Sequence, residues 1–115
     1  MIKYNGAQVS PQELEELIAK HDHVLEVGVV GTETPDGNEL PTAFVVLTEG
    51  SPDGVEQDII RFTAEQVIPY KRLRGGVHKV PSIPRNHMGK TQHHLLRKLA
   101  NEMYQSSRKK RLAKM

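Results

Sequence analysis

Hydrophobic and polar positions alternate along this chain in two different rhythms. In "QVSPQELEELIAKHD", Leu14, Leu17 and Ile18 recur at helical spacing. Ser10 precedes them as a cap, Pro11 suits the first helical position, and Glu13 completes an S-x-x-E box. This predicts a helix that ends near Asp22 to Val24. "VLEVGVVGTE" then reads as a buried strand, and "TPDGNELP" supplies turn chemistry. "TAFVVLTEG" sets Ala43, Val45 and Leu47 against Phe44 and Val46, the two-residue rhythm of a strand. These two strands are expected to form an antiparallel hairpin.

"SPDGVEQDIIRFTAEQV" returns to helical spacing, with Val55, Ile59, Phe62 and Val67 near one face. Pro69 is expected to set its end, because proline disfavours helix at the residue before it. "YKRLRGG" reads as a basic loop whose two glycines serve a tight turn, and "VHKVPSI" as a short third strand. "KTQHHLLRKLANEMY" predicts a last helix capped by Thr91, with an apolar stripe of Leu95, Leu96, Leu99 and Met103. "SSRKKRLAKM" has little to bury and is expected to be mobile. No internal repeat is present. The order predicts an α+β domain over residues 1–105. A small, three-stranded, mainly antiparallel sheet carries helices packed on it, behind a short N-terminal hairpin segment, and a mobile basic tail occupies 106–115.

The 115 residues suit one small domain. No apolar run approaches the ~20 residues of a membrane span, and "MIKYNGAQVSP" has no long apolar segment of a signal peptide. The absence of cysteine excludes disulfides, thiolate metal sites and thiol nucleophiles. Net charge is only +2, but it is sharply divided. Residues 1–66 carry three basic and thirteen acidic side chains; residues 67–105 carry eight basic and one acidic; residues 106–115 carry five basic and none acidic. The basic half is a candidate face for polyanions. Aromatic residues make up 4%, with no aromatic platform or zinc-finger spacing, which argues against nucleic acid.

Chemistry-bearing residues are few. His21, His23, His78, His87, His93 and His94 do not form the i, i+4 pairing of a zinc helix, so no metal site is implied. Ser106 and Ser107 have no base placed beside them. Gly89-Lys90, directly before the last helix, suggests phosphate chemistry, yet Pro84 stands where a P-loop needs glycine. Lys90 is therefore either an ordinary surface charge or part of a different phosphate strategy. "YNGA" contains the Asn-Gly pair favoured in tight hairpins.

Taken together and in order, "IKYNGAQVSPQELE", "ELPTAFVVL", "PYKRLRGGVHKVPSIP" and "GK" resemble the C-terminal lid domain of adenylate-forming (AMP-binding) enzymes. These include acyl-CoA synthetases, 4-coumarate–CoA ligases, luciferases and peptide-synthetase adenylation domains. The resemblance covers nearly all of the chain to about Lys98 and is strongest to the ligase and luciferase branch. It implies ATP-dependent acid–CoA ligation, in which ATP and CoA are substrates and Mg2+ belongs to a large N-terminal domain. That domain would be the partner of this chain, which by itself is expected to be inactive. The resemblance further implies that Lys90 serves adenylation, and that Lys3 and Gln8 serve thioester formation. Asn5 and Gly6 match a turn that touches CoA. Lys71, Arg72 and Arg74 either steer CoA phosphates or are solvated charges. His87 and Met88 stand where the family keeps smaller residues. The alternatives are a stand-alone binding or regulatory module with the same fold, or the lid of a peptide-synthetase adenylation domain. Ala113-Lys114-Met115 resembles a variant peroxisomal address, read by an import receptor; a random basic tail or a nuclear signal are the other readings, and without import a cytoplasmic location is expected.

Overall fold

The computed structural model describes residues 1–113, with side chains described as far as Lys110. The chain begins with a β-hairpin, β1 (Ile2–Tyr4) against β2 (Ala7–Val9), followed by α1 (Pro11–Ile18). The main sheet consists of β3 (Val24–Glu33), β4 (Glu39–Leu47) and β5 (Val77–Lys79), in the order β3-β4-β5. β3 and β4 are antiparallel, whereas β5 lies parallel to β4 with Ala43 opposite Val77. α2 (Val55–Ala64) and a 3-10 turn (Pro69–Lys71) connect β4 to β5, and α3 (His93–Ala113) ends the description.

The two-residue rhythm of β3 and β4 is explained by burial of both sheet faces. Val29, Ala43 and Val45 face one core, shared with Ile2 and Val9 of the hairpin, Leu14 and Ile18 of α1, and Val55 and Ile59 of α2. Val30 and Phe44 face the other, closed by Ile83, Leu96 and Ala100. The sheet is thus sandwiched between α1, α2 and the hairpin on one side and α3 on the other. α1 starts as its capping residue directs: the Glu13 N–H donates to Ser10 Oγ at 3.3 Å.

Glycine is required where backbone or helix comes close. At Gly28, an added Cβ would fall inside contact distance of Leu96 Cδ1, so α3 seats directly on the strand there. At Gly75, a Cβ would collide with Thr42 and approach the Pro41 carbonyl oxygen at 3.1 Å, and the Gly75 N–H donates to that oxygen at 2.9 Å. Gly76 takes φ +88° and completes the turn expected of the pair.

Three expectations need correction. α2 ends at Ala64, well before Pro69, because the Gln66 side chain turns back to the Phe62 carbonyl (3.0 Å) and Pro69 opens the 3-10 turn. Thr91 does not cap α3; it bridges to Arg85 across a small loop, and the helix starts at His93. The stripe of α3 is rotated: Leu96, Ala100 and Met103 face the sheet, while Leu95 (42%) and Leu99 (36%) are exposed. The docking over Gly28 selects the 96, 100, 103 row. The expected boundary at residue 106 falls within α3. α3 continues through Ala113, with residues 106–110 exposed along it. Lys114 and Met115, which complete the C-terminal tripeptide, lie outside the described residues.

Candidate functional site

Two lysine-bearing surfaces emerge at opposite ends of the β3–β4 ladder. The first is the N-terminal hairpin. Its register places Lys3 directly opposite Gln8, and both side chains are exposed. A two-residue Asn-Gly turn joins the strands, with Asn5 at φ +48° and Gly6 at φ +82°. Positive φ at both positions is the turn that matches strand twist, and it explains the Asn-Gly choice. The hairpin is fastened to the start of β4. The Lys3 N–H donates to Glu39 Oε1 (3.1 Å), and the Asn5 N–H donates to Asn38 Oδ1 (2.8 Å). Asn38 Nδ2 in turn donates to Asn5 Oδ1 (3.2 Å). Backbone hydrogen bonds thus hold this turn while the Lys3 and Gln8 side chains project from it.

The basic loop lies beside the hairpin, and its cations are not equivalent. Lys71 Nζ donates to both carboxylate oxygens of Glu13, at 2.9 and 3.2 Å. That bond holds the Lys71 ammonium above its ordinary pKa of 10.5. Its charge is paired with that of Glu13. The partner is 58 residues away in sequence and no local pattern announces it. Arg74 is also fixed: its guanidinium stacks 4.8 Å from the Tyr4 ring centroid, and Nη1 donates to the Pro69 carbonyl at 2.6 Å. Arg72 is exposed. A cleft of about 270 Å³ lies behind Arg74, lined by Thr42, Gly75, His78, Tyr104 and Ser107. A second hollow of about 360 Å³ adjoins it through Leu40 and Tyr104 and reaches Asn5.

The second surface is the loop that carries Lys90. Arg85 and Thr91 pair as an isolated bridge, and residues 86–90 form a tight loop between them. Gly89 supplies φ +82°. Asn86 Oδ1 accepts from the N–H groups of Met88 (2.9 Å) and Lys90 (3.0 Å), in the way asparagine stabilises turns. Arg85 ties the loop to β3, donating from Nε and Nη2 to Glu26 Oε1 at 3.1 and 2.9 Å. Lys90 is exposed at the end of this loop, and among the described residues no carboxylate forms an ion pair with it.

The separation of the two surfaces follows from the ladder. Lys3 is fastened to Glu39, which pairs with Glu33 of β3; the Lys90 loop is fastened to Glu26 of the same strand. The Glu39 carboxylate reaches back over Gly31, five residues of strand from Glu26, a span of roughly 17 Å. The Lys3–Gln8 hairpin and the Lys90 loop are thus fastened at different points along the ladder.

His21 and His93 have structural partners that the sequence did not reveal. His21 is buried; its Nδ1 accepts the His23 N–H (3.2 Å), so the proton is on Nε2, which donates to Asp58 Oδ2 at 2.7 Å. That hydrogen bond is the main cause of the lowered Asp58 pKa. His93 Nε2 lies 2.7 Å from Glu15 Oε2, the atom that also accepts the Val29 N–H. Among the described residues no three His, Asp or Glu side chains converge as a metal-binding group. A hollow of about 650 Å³ along the outer face of α3 contains none of Lys3, Gln8 and Lys90.

The described residues thus present Lys3 and Lys90 on two fastened, exposed loops of one α+β domain. Comparison with known proteins identifies the family. Residues 13–90 match the model of the AMP-binding enzyme C-terminal domain, and Lys90 is the last residue matched. The chain is 39% identical over 99 residues to luciferin 4-monooxygenase of Luciola mingrelica, covering 86% of this chain and 18% of the relative. It is 41% identical over 108 residues to 4-coumarate–CoA ligase 1 of Oryza sativa subsp. japonica, covering 93% and 19%. Its fold matches that of ATP-bound MatB from Rhodopseudomonas palustris with a TM-score of 0.81 at 31% identity, over 90% of this chain and 20% of the other. The chain belongs to the AMP-binding enzyme C-terminal domain family. It spans about a fifth of the length of these relatives.

Proposed function

We propose that this chain is the lid of an AMP-forming acid–CoA ligase and works against a large N-terminal domain that holds ATP, Mg2+ and the acid. The carboxylate attacks the α-phosphate of ATP and pyrophosphate leaves, giving an acyl-adenylate. The CoA thiol then attacks the acyl carbon, and AMP leaves as the thioester forms. The observation that supports this reading is the placement of Lys90 and of Lys3–Gln8 at opposite ends of one rigid ladder. A domain built in this way presents either surface to a partner by turning, and does not present both together.

In the adenylating pose, the Lys90 ammonium would lie against the α-phosphate and carboxylate, where negative charge concentrates as the phosphorus becomes five-coordinate. In the thioester-forming pose, Lys3 and Gln8 would face the adenylate. The Asn5-Gly6 turn, with no Cβ at Gly6, would let CoA pass close to the backbone. Arg72 and Arg74, together with Lys71 once it leaves Glu13, are the cations that would meet CoA phosphates. The C-terminal Ala113-Lys114-Met115 would address the enzyme to peroxisomes through an import receptor.

The test is a panel of carboxylic acids offered, with ATP and CoA, to a protein carrying both domains. Release of AMP and pyrophosphate together with acyl-CoA is expected, and none from the 115-residue chain alone. Acyl-CoA formation by the chain alone, or ADP and phosphate as products, would overturn the proposal.

A further inference from the structure

We infer that Asn86 is the positioning residue that presets Lys90 for adenylation, with Arg85 as its tie to the sheet. This inference rests on the lid reading and adds to it a residue that holds the lysine rather than touching the substrate.

The loop from Asn86 to Lys90 is organised almost entirely by one side chain and its own backbone. The Asn86 N–H donates to the Lys90 carbonyl at 2.9 Å, and the Asn86 carbonyl accepts the Gly89 N–H at 2.9 Å. Oδ1 accepts two further N–H groups, from Met88 and Lys90. An amide oxygen has two lone pairs, and both are engaged here. Arg85 Nη1 donates to the Gly89 carbonyl at 3.1 Å while its other nitrogens hold Glu26. The main-chain N–H groups of Met88, Gly89 and Lys90 all have partners, and the loop is bolted to β3.

The consequence for Lys90 is a fixed backbone origin. The flexible lysine stem then searches only its own rotamers, not those of a wandering loop. An exposed five-residue loop without such bonds would have to order itself each time the lid closes. A displacement of about 1 Å in a positioned group can cost ~100-fold in rate. Of the residues between Asn86 and Lys90, only Asn86 has a side chain that bonds the loop's own backbone; His87 and Met88 are exposed. Asn86 is thus a positioning residue for the first half-reaction alone, because the second uses the other end of the ladder.

The experiment compares Asn86→Ala, Asn86→Asp and Lys90→Ala in the two-domain enzyme, with the two half-reactions timed separately. Asn86→Ala should lower the rate constant for acyl-AMP formation by ~10- to 100-fold. The KM for ATP should change little, and CoA transfer from supplied acyl-adenylate should be unchanged. Asn86→Asp keeps both acceptor positions and should recover most of the loss. In the 115-residue chain, hydrogen exchange at the Met88 and Lys90 amides should accelerate in Asn86→Ala while core amides stay protected. If Lys90→Ala cripples adenylation and Asn86→Ala does not, the positioning role is wrong and the lid reading stands. If Lys90→Ala itself leaves adenylation intact, the lid reading fails. Equal loss of both half-reactions in Asn86→Ala, with no recovery in Asn86→Asp, would mark a folding defect and overturn the inference.

Discussion

The seat of α3 on the sheet gives a sharp test of the packing, because the contact is made by one side chain on a glycine. Leu96 is 2% exposed, and its Cδ1 occupies the space that a Cβ on Gly28 would need. Gly28→Ala should therefore cost about 1–3 kcal/mol through overpacking. Leu96→Ala should cost about 2–5 kcal/mol through lost burial and a cavity. The double variant is the informative one. With Cδ1 gone, the nearest groups to the new methyl are Thr91 Cγ2 at 3.7 Å and Ile83 Cγ2 at 3.9 Å, which are ordinary contacts. In the Leu96→Ala background, Gly28→Ala should be neutral, or stabilising by up to ~1 kcal/mol as the unfolded chain loses freedom. The coupling energy should then be of the order of 1–3 kcal/mol, well above the ~0.5 kcal/mol scatter of independent sites. Urea unfolding followed by circular dichroism measures it: a 2 kcal/mol cost moves the midpoint by about 1 M when m is near 2 kcal/mol/M. Simple additivity of the two changes would refute the claim that Leu96 fills the site of the missing Cβ.

Two further outcomes follow from particular groups. Asp58 has its carboxyl held below the ordinary 3.8 by the hydrogen bond from His21. A depressed folded-state pKa gives stability that is present above the unfolded value and lost as pH falls through the folded one. Removing the carboxylate with Asp58→Asn should therefore flatten the stability profile below about pH 4, measured as urea midpoint against pH; an unchanged acid limb would contradict the assignment. Residues 108–115 fused to a fluorescent protein should direct it to peroxisomes, and deletion of Ala113-Lys114-Met115 should abolish this; a diffuse signal from the intact fusion would remove the address.

The elements legible in the sequence were those whose signal is local. β3 spans the expected Val24–Glu33, and the alternation of Ala43 and Val45 against Phe44 matches the two cores. The Asn-Gly turn and the Ser10 cap were readable for the same reason: each depends on residues within a few positions. What escaped depends on partners far along the chain. Leu95 and Leu99 look as apolar as Leu96, and only the close approach at Gly28 decides which row of α3 is buried. Lys71 looks as available as Arg72 until Glu13, 58 residues earlier, folds against it. His93 finds Glu15 across 78 residues. In the candidate site, Lys3, Gln8 and Lys90 were named from resemblance, and the direct pairing of Lys3 with Gln8 emerges from the observed register. The distance between the two lysine surfaces, and the role of Asn86 in the loop, required the fold.

The central claim is that one rigid domain carries two lysines that serve different half-reactions. The direct measurement is rapid-quench timing of acyl-AMP formation and of CoA transfer from supplied acyl-adenylate, in Lys90→Ala and Lys3→Ala variants of the two-domain enzyme. Lys90→Ala should slow acyl-AMP formation by ~10²–10³-fold, as removal of a preorganised electrostatic group does, and leave CoA transfer intact. Lys3→Ala should do the reverse, slowing CoA transfer and sparing adenylation. Loss of the same half-reaction in both variants would contradict the account.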